Sequence, residues 1–224
     1  MRYSLILISL LGALHTCAQE PIETLKTILA SFTRPGDLYY EMQIYYYEPG
    51  QTSPADSLRG LYHRRGQSEF LQLGPVEALL QSGLYVSADH EEQLLSVLSP
   101  GKGKLHQPFD PAQIDALVNA GMLRVENAFA PPPLRALQVR DPDDVYDYRI
   151  VYDPLRNSIK TIDIKGPGVD QSEGHENEIV HVTIEYTRFG PEKLRPFPYR
   201  TQQYLAKKGK KITPAGKCKG YRLI

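Results

Sequence analysis

The stretch Leu38-Tyr39-Tyr40-Glu41-Met42-Gln43-Ile44-Tyr45-Tyr46-Tyr47 decides the fold class. Its even positions are Leu38, Tyr40, Met42, Ile44 and Tyr46, and its odd positions are Tyr39, Glu41, Gln43, Tyr45 and Tyr47. Side chains alternate between the two faces of an extended chain, so this split predicts a strand with one apolar face and one amphipathic face. Glu48-Pro49-Gly50 breaks it. Asp56 to Arg65 then reads as the returning strand, a turn follows around Gly66-Gln67, and Ser68 to Leu73 reads as a third strand.

Working outward, Ile22, Leu25, Ile28, Leu29 and Phe32 recur at three and four residues, the stripe of an amphipathic helix. Val76 to Ser82 fits a short helix or a strand. Gly83 to Asp89 and Gln93 to Leu98 read as paired strands around the acidic turn Asp89-His90-Glu91-Glu92. A second helix is expected from Asp110, as N-cap, and Pro111 to about Gly121, with Ile114, Leu117 and Val118 as its apolar stripe. Ala130-Pro131-Pro132-Pro133 interrupts the pattern. Tyr146 to Tyr152, Ser158 to Lys165 and Ile179 to Phe189 are further strands, and Arg200 to Ala206 and Gly220 to Ile224 two short ones. Hairpin-length connections argue for an α+β fold: a curved antiparallel sheet, or incomplete β-barrel, with a few covering helices.

The first eighteen residues have the pattern of a secretory signal peptide. Arg2 precedes the apolar run Leu5 to Leu14, and small residues lie near Ala18. The expectation is a periplasmic or otherwise exported protein with one domain over residues 19–224. Lipid attachment at Cys17 is the less favoured course, because His15 and Thr16 fit that pattern poorly. Cleavage after Ala18 leaves Cys218 as the sole thiol, and exposure beside Lys217 and Lys219 would lower its pKa.

The 26 basic and 26 acidic residues balance, so no overall positive field points to nucleic acid. Charge is nevertheless uneven. Asp141 to Glu178 holds ten acids against four basic residues, and Lys193 to the end holds ten basic residues and no acid. These regions are expected to face solvent or each other. The alternative is a basic end that meets anionic lipid headgroups or an acidic partner, with membrane contact no more than peripheral.

No metalloprotease helix motif, nucleophile elbow, phosphate loop or dinucleotide fingerprint occurs. Asp89-His90-Glu91-Glu92, Asp141-Pro142-Asp143-Asp144 and Glu173-Gly174-His175-Glu176 carry metal-ligand residue types, but read better as polar turns. His63, His106 and His181 have no nucleophile paired with them in sequence. A non-enzyme without cofactor or metal is expected.

Five segments carry a family likeness: Leu25 to Phe32, Tyr39-Tyr40-Glu41-Met42, Leu58 to Arg65, Gly83-Leu84-Tyr85-Val86, and Tyr148-Arg149-Ile150-Val151-Tyr152-Asp153-Pro154. In order and pattern the chain resembles the outer-membrane lipoprotein carrier family. The resemblance implies a half-barrel with lid helices around an apolar cavity for a lipid or the acyl chain of a lipoprotein. Cavity residues on that reading are Leu38, Tyr40, Met42, Ile44, Tyr46, Leu84 and Val86, with Ile114, Leu117 and Val118 from the lid. The absence of Trp and the basic end depart from the family. A second reading is an envelope module with a filled core, which binds a protein or polysaccharide partner through exposed Tyr39, Tyr45 and Tyr47.

Overall fold

A computed structural model of the chain describes residues 20–32, 36–98, 111–143, 145–167, 179–190, 197–208 and 211–224. Residues 1–18, Cys17, His106, Asp110 and the Glu173–Glu176 turn lie outside these. The strands, β1 (Leu38–Tyr47) to β14 (Arg222–Leu223), hydrogen-bond mainly in one sheet, in the order β14-β6-β5-β4-β3-β2-β1-β11-β10-β9-β8-β7. Its two end strands do not pair with each other, so the sheet stays open. The pairs β2–β3 to β5–β6 and β7–β8 to β9–β10 are antiparallel, and β14 lies parallel to β6. With two helices this is the expected α+β class.

The chain divides into two compact units: residues 1–34, 46–55 and 108–184, and residues 35–45, 56–107 and 185–224. β1 and β11 (Ile179–Gly190) contribute to both. The first unit holds α1 (residues 20–32) and α2 (Pro111–Asn119). α1 buries the predicted stripe, with Leu25, Ile28, Leu29 and Phe32 all in the core. Lys26 of α1 pairs with Glu23 and with Asp115 of α2. α2 ends because Gly121 adopts φ +70°, which lets Gly121 and Met122 donate back to Val118 and Leu117.

Strands β7 (Arg124–Ala128) and β8 (Arg135–Arg140) were not expected. The proline run between them and the mixed polarity of β7 hide their period. On β9 (Asp147–Asp153) the successive residues Ile150, Val151 and Tyr152 are all buried, so both of its faces are covered. The four-residue turn to β10 (Ser158–Pro167) is held by Asp153, whose carboxylate accepts from the N–H groups of Leu155 and Arg156. Asp147 pairs with Arg140, and Asp163 with Arg149. Among the described residues of the acidic stretch, Asp147 and Asp163 are thus paired within their own unit.

The second unit contains the meander β2 (Asp56–Arg65), β3 (Ser68–Leu73), β4 (Val76–Gln81), β5 (Leu84–Asp89) and β6 (Leu94–Leu98). Val76 to Gln81 is a strand because two-residue turns flank it. Ser82 and Gly83 both have positive φ, 50° and 73°, as a type I′ hairpin requires. Tyr62, His63 and Arg64 are buried in succession, so β2 too is covered on both faces. Residues 197–208 and 211–221 fold over one of those faces. The expected strand from Arg200 is instead a 3-10 turn, Thr201–Gln203, followed by β12 (Leu205–Lys208) and β13 (Lys211–Pro214). A second 3-10 turn, Gly216–Cys218, lies against the first. Gly216 has φ +56°, and a Cβ there would collide with the Gln203 carbonyl.

Phe70, Leu79, Val86, Ala88, Leu95, Tyr204, Leu205 and Cys218 form the resulting core. Cys218 is fully buried, not a surface thiol, and burial pushes its pKa up against the opposing effect of Lys217. Native protein treated with a thiol reagent should modify Cys218 at least about 100-fold more slowly than unfolded protein, read by mass of its peptide. Equal rates would place the C-terminal segment off the sheet.

Candidate functional site

The register of the second unit sorts the candidate residues by face. Tyr62 pairs with Leu71, which pairs with Ala78, and Ala78 with Ser87. His63, Phe70, Leu79 and Val86 form the neighbouring row and point to the other side. Tyr40 stacks on Tyr62 at 4.9 Å, which assigns the even residues of β1 to the Tyr62 face. Leu84 pairs with Gln81, in phase with Val86, and packs on the C-terminal core. Leu84 and Val86 therefore do not share a face with Tyr40 and Met42.

On the Tyr62 face, Leu38, Tyr40, Met42 and Ile44 are all buried. Met42 lies over Gly60: a Cβ at residue 60 would sit 2.5 Å from Met42 Cε and 3.1 Å from Leu73 Cδ2. The glycine leaves a slot, and the thioether fills it. Further along β2 the face turns polar. Arg64 and Glu69 pair in register, and both act on the Tyr62 hydroxyl. Arg64 Nε also donates to the Gly36 carbonyl at 3.1 Å. Tyr46 is 38% exposed, and α2 carries Ile114 buried with Leu117 and Val118 half-buried in the other unit.

The tyrosines of the second reading are engaged. Tyr39 donates to Glu41, and burial together with that bond pushes its pKa up to about 12. Tyr45 donates to Glu185 at 3.5 Å, and Tyr47 stacks on His181 at 4.6 Å. All three are half-buried, so they form no exposed aromatic patch.

The opposite face carries two arrangements that the sequence did not single out. In the first, Tyr199 lies on Phe70 at 3.6 Å, almost parallel. Phe197 meets Tyr199 edge-on and His63 at 5.0 Å. The Gln81 amide clamps this segment: it donates to the Tyr199 carbonyl and accepts from Thr201 N–H, both at 3.2 Å. His63 is 2% exposed, and among the described residues its Nε2 has no hydrogen-bond partner. Burial pushes its pKa down. In the second, Glu77 accepts from Tyr204 at 2.7 Å and from Lys217, with His90 Nε2 at 3.5 Å. His90 Nδ1 meets the Tyr221 hydroxyl at 2.8 Å. Burial raises the Glu77 carboxyl, but bonds from Lys217 and Tyr204 outweigh it and hold the pKa below its usual value. Only proximity in space, with no motif spacing, assembles either group.

Among the described residues no group of three or more metal-ligating side chains converges. Asp89 serves its turn, accepting from Glu91 and Glu92 N–H at 3.0 Å.

No family model matches the chain, and no curated relative matches it. Among solved structures it is similar to a domain from Vibrio parahaemolyticus described as an outer membrane lipoprotein-sorting protein domain. That likeness covers 80% of this chain and 95% of the other, at 9% identity and a TM-score of 0.34.

Glu77 and His63 have opposite tests. A lowered carboxyl stabilises the fold above its unfolded pKa, and that stability is lost as pH falls through the folded value. Glu77→Gln should cost about 1–2 kcal/mol at pH 7, and the gap should close below about pH 4, measured by urea unfolding. A lowered imidazole also costs stability as pH falls, here below about 6.5. His63→Phe keeps the ring contacts and removes the unpaired nitrogen, so it should stabilise by about 1 kcal/mol and flatten the profile between about pH 6.5 and 5.

Proposed function

We propose that the protein is an exported, non-enzymatic binder of acyl chains, from a lipid or an acylated protein of the cell envelope, with residues 19–224 as its working domain. The observation that carries this reading is the slot at Gly60. One sheet face runs from Ile44 and Met42 over Gly60 and Leu73, through the Tyr40–Tyr62 stack, to the buried Arg64 and Glu69. It is graded from apolar to polar, as an amphiphile is. Met42 is the movable part. An unbranched thioether changes rotamer at little cost, so it can leave the slot and line it instead. The signal-like leader supports export, and the open sheet supports entry from its surface.

Apolar burial sets the scale. Each methylene removed from water contributes about 0.8 kcal/mol, so two fewer carbons should weaken an acyl probe roughly tenfold. The test is displacement of a fluorescent fatty acid by chains of graded length. Gly60→Leu fills the slot and should reduce affinity at least about tenfold, whereas Met42→Ala should not. No binding to the native protein, or no dependence on chain length, would overturn the reading. Mass spectrometry of an organic extract of protein purified without detergent then identifies the chain carried.

A further inference from the structure

On the other face of the second unit lies a cleft that the acyl reading does not use. It has a volume of about 320 Å3 and is lined by Arg65, Ser68, Gln81, Phe197, Tyr199 and Arg200. We propose that it binds a small phosphate ester. Two guanidinium groups reach it from segments far apart in sequence, one at the end of β2 and one in the C-terminal segment. Ser68 stands across the hairpin from Arg65 and adds a hydroxyl donor.

Little in the protein neutralises these cations. Arg65 Nε has Asp37 Oδ2 at 4.0 Å, the outer limit of an ion pair, and Arg65 is exposed. Among the described residues Arg200 has no acidic partner. Its backbone N–H donates to Gln203 Oε1 at 3.0 Å. Two planar forks and a hydroxyl match a group with three terminal oxygens better than a carboxylate with two. The volume exceeds what a bare phosphate fills. The ester's body would rest beside Phe197 and Tyr199, which line the cleft.

The cleft is also held in shape before any ligand arrives. Gln81 ties the Tyr199 carbonyl and the Thr201 N–H to the sheet, and the Phe70 stack fixes the Tyr199 ring. The aromatic wall is thus ordered in advance, and binding has to order only the two exposed arginine side chains. The phosphate could belong to a soluble ester or to a phospholipid headgroup, and the chemistry is the same for both.

The experiment uses the mature full chain with sn-glycerol 3-phosphate as probe, by calorimetric titration, and with glycerol as the uncharged control. Saturable binding of the phosphate ester only is expected, weakening as NaCl rises. R65Q and R200Q should each reduce affinity about tenfold. Both side chains are exposed, and circular dichroism checks that each variant folds. Co-sedimentation with phosphatidylcholine vesicles, with and without phosphatidic acid, separates the sources. Capture by the acidic vesicles that glycerol 3-phosphate reverses assigns a headgroup, and binding of the soluble ester alone assigns a free ligand. No saturable binding up to about 10 mM, or affinity unchanged in the R65Q/R200Q double variant, would overturn the proposal. Acyl-probe binding should be unaffected by either substitution, so the two sites fail or stand separately.

Discussion

Tyr199 on Phe70 marks the constraint that the rest of the second unit answers to. The meander β2 to β6 has apolar residues on both sides, and a sheet so patterned must be covered twice. Residues 197–208 and 211–221 supply one cover. A stacked aromatic pair contributes about 0.5–1.5 kcal/mol beyond its buried area, a modest figure alone. Its role is positional: it sets where the segment lands, and Tyr204, Leu205 and Cys218 then reach Leu79, Val86 and Leu95. Gln81 satisfies backbone groups that the non-repetitive segment would otherwise leave unpaired beside the core.

The polar groups under that cover are few and mostly satisfied. Glu77 would be costly to bury alone, and it sits among Tyr204, Lys217 and His90, with Lys217 also 4.3 Å above the Tyr204 ring. The basic end is thus partly structural: Lys217 holds the last turn to β4. His63 is different. It is enclosed by Tyr39, Phe197 and Tyr199 rings with one nitrogen unpaired, and it gains ring packing at the expense of that nitrogen.

One sheet therefore offers two kinds of surface. The Tyr62 face couples an apolar slot at Gly60 to the buried Arg64 and Glu69, and the His63 face ends in a cationic cleft with aromatic walls. The period of β1 foretold which of its own residues are buried, because burial of Leu38, Tyr40, Met42 and Ile44 follows directly from alternation. The slot was not legible, since it depends on which residue of β2 stands opposite Met42. Leu84 and Val86 look equivalent to the β1 residues in sequence, yet pairing across four strands turns them to the other side. Alternation assigns residues to faces within one strand; only register relates one strand's faces to the next.

From sequence alone came the α+β class, both helices, the hairpins around Gly66 and Asp153, and the strand positions with strict alternation. These are local properties: spacing, caps and turn residues act within a few positions. The strands β7 and β8 and the 3-10 turn at Thr201 escaped, because tertiary contacts overrode weak local signals there. The open sheet order, the burial of Cys218 and the meeting of Arg65 with Arg200 belong to tertiary structure alone. Each depends on where a distant segment packs, and the free energy that decides it is burial of apolar area shared by residues more than a hundred positions apart.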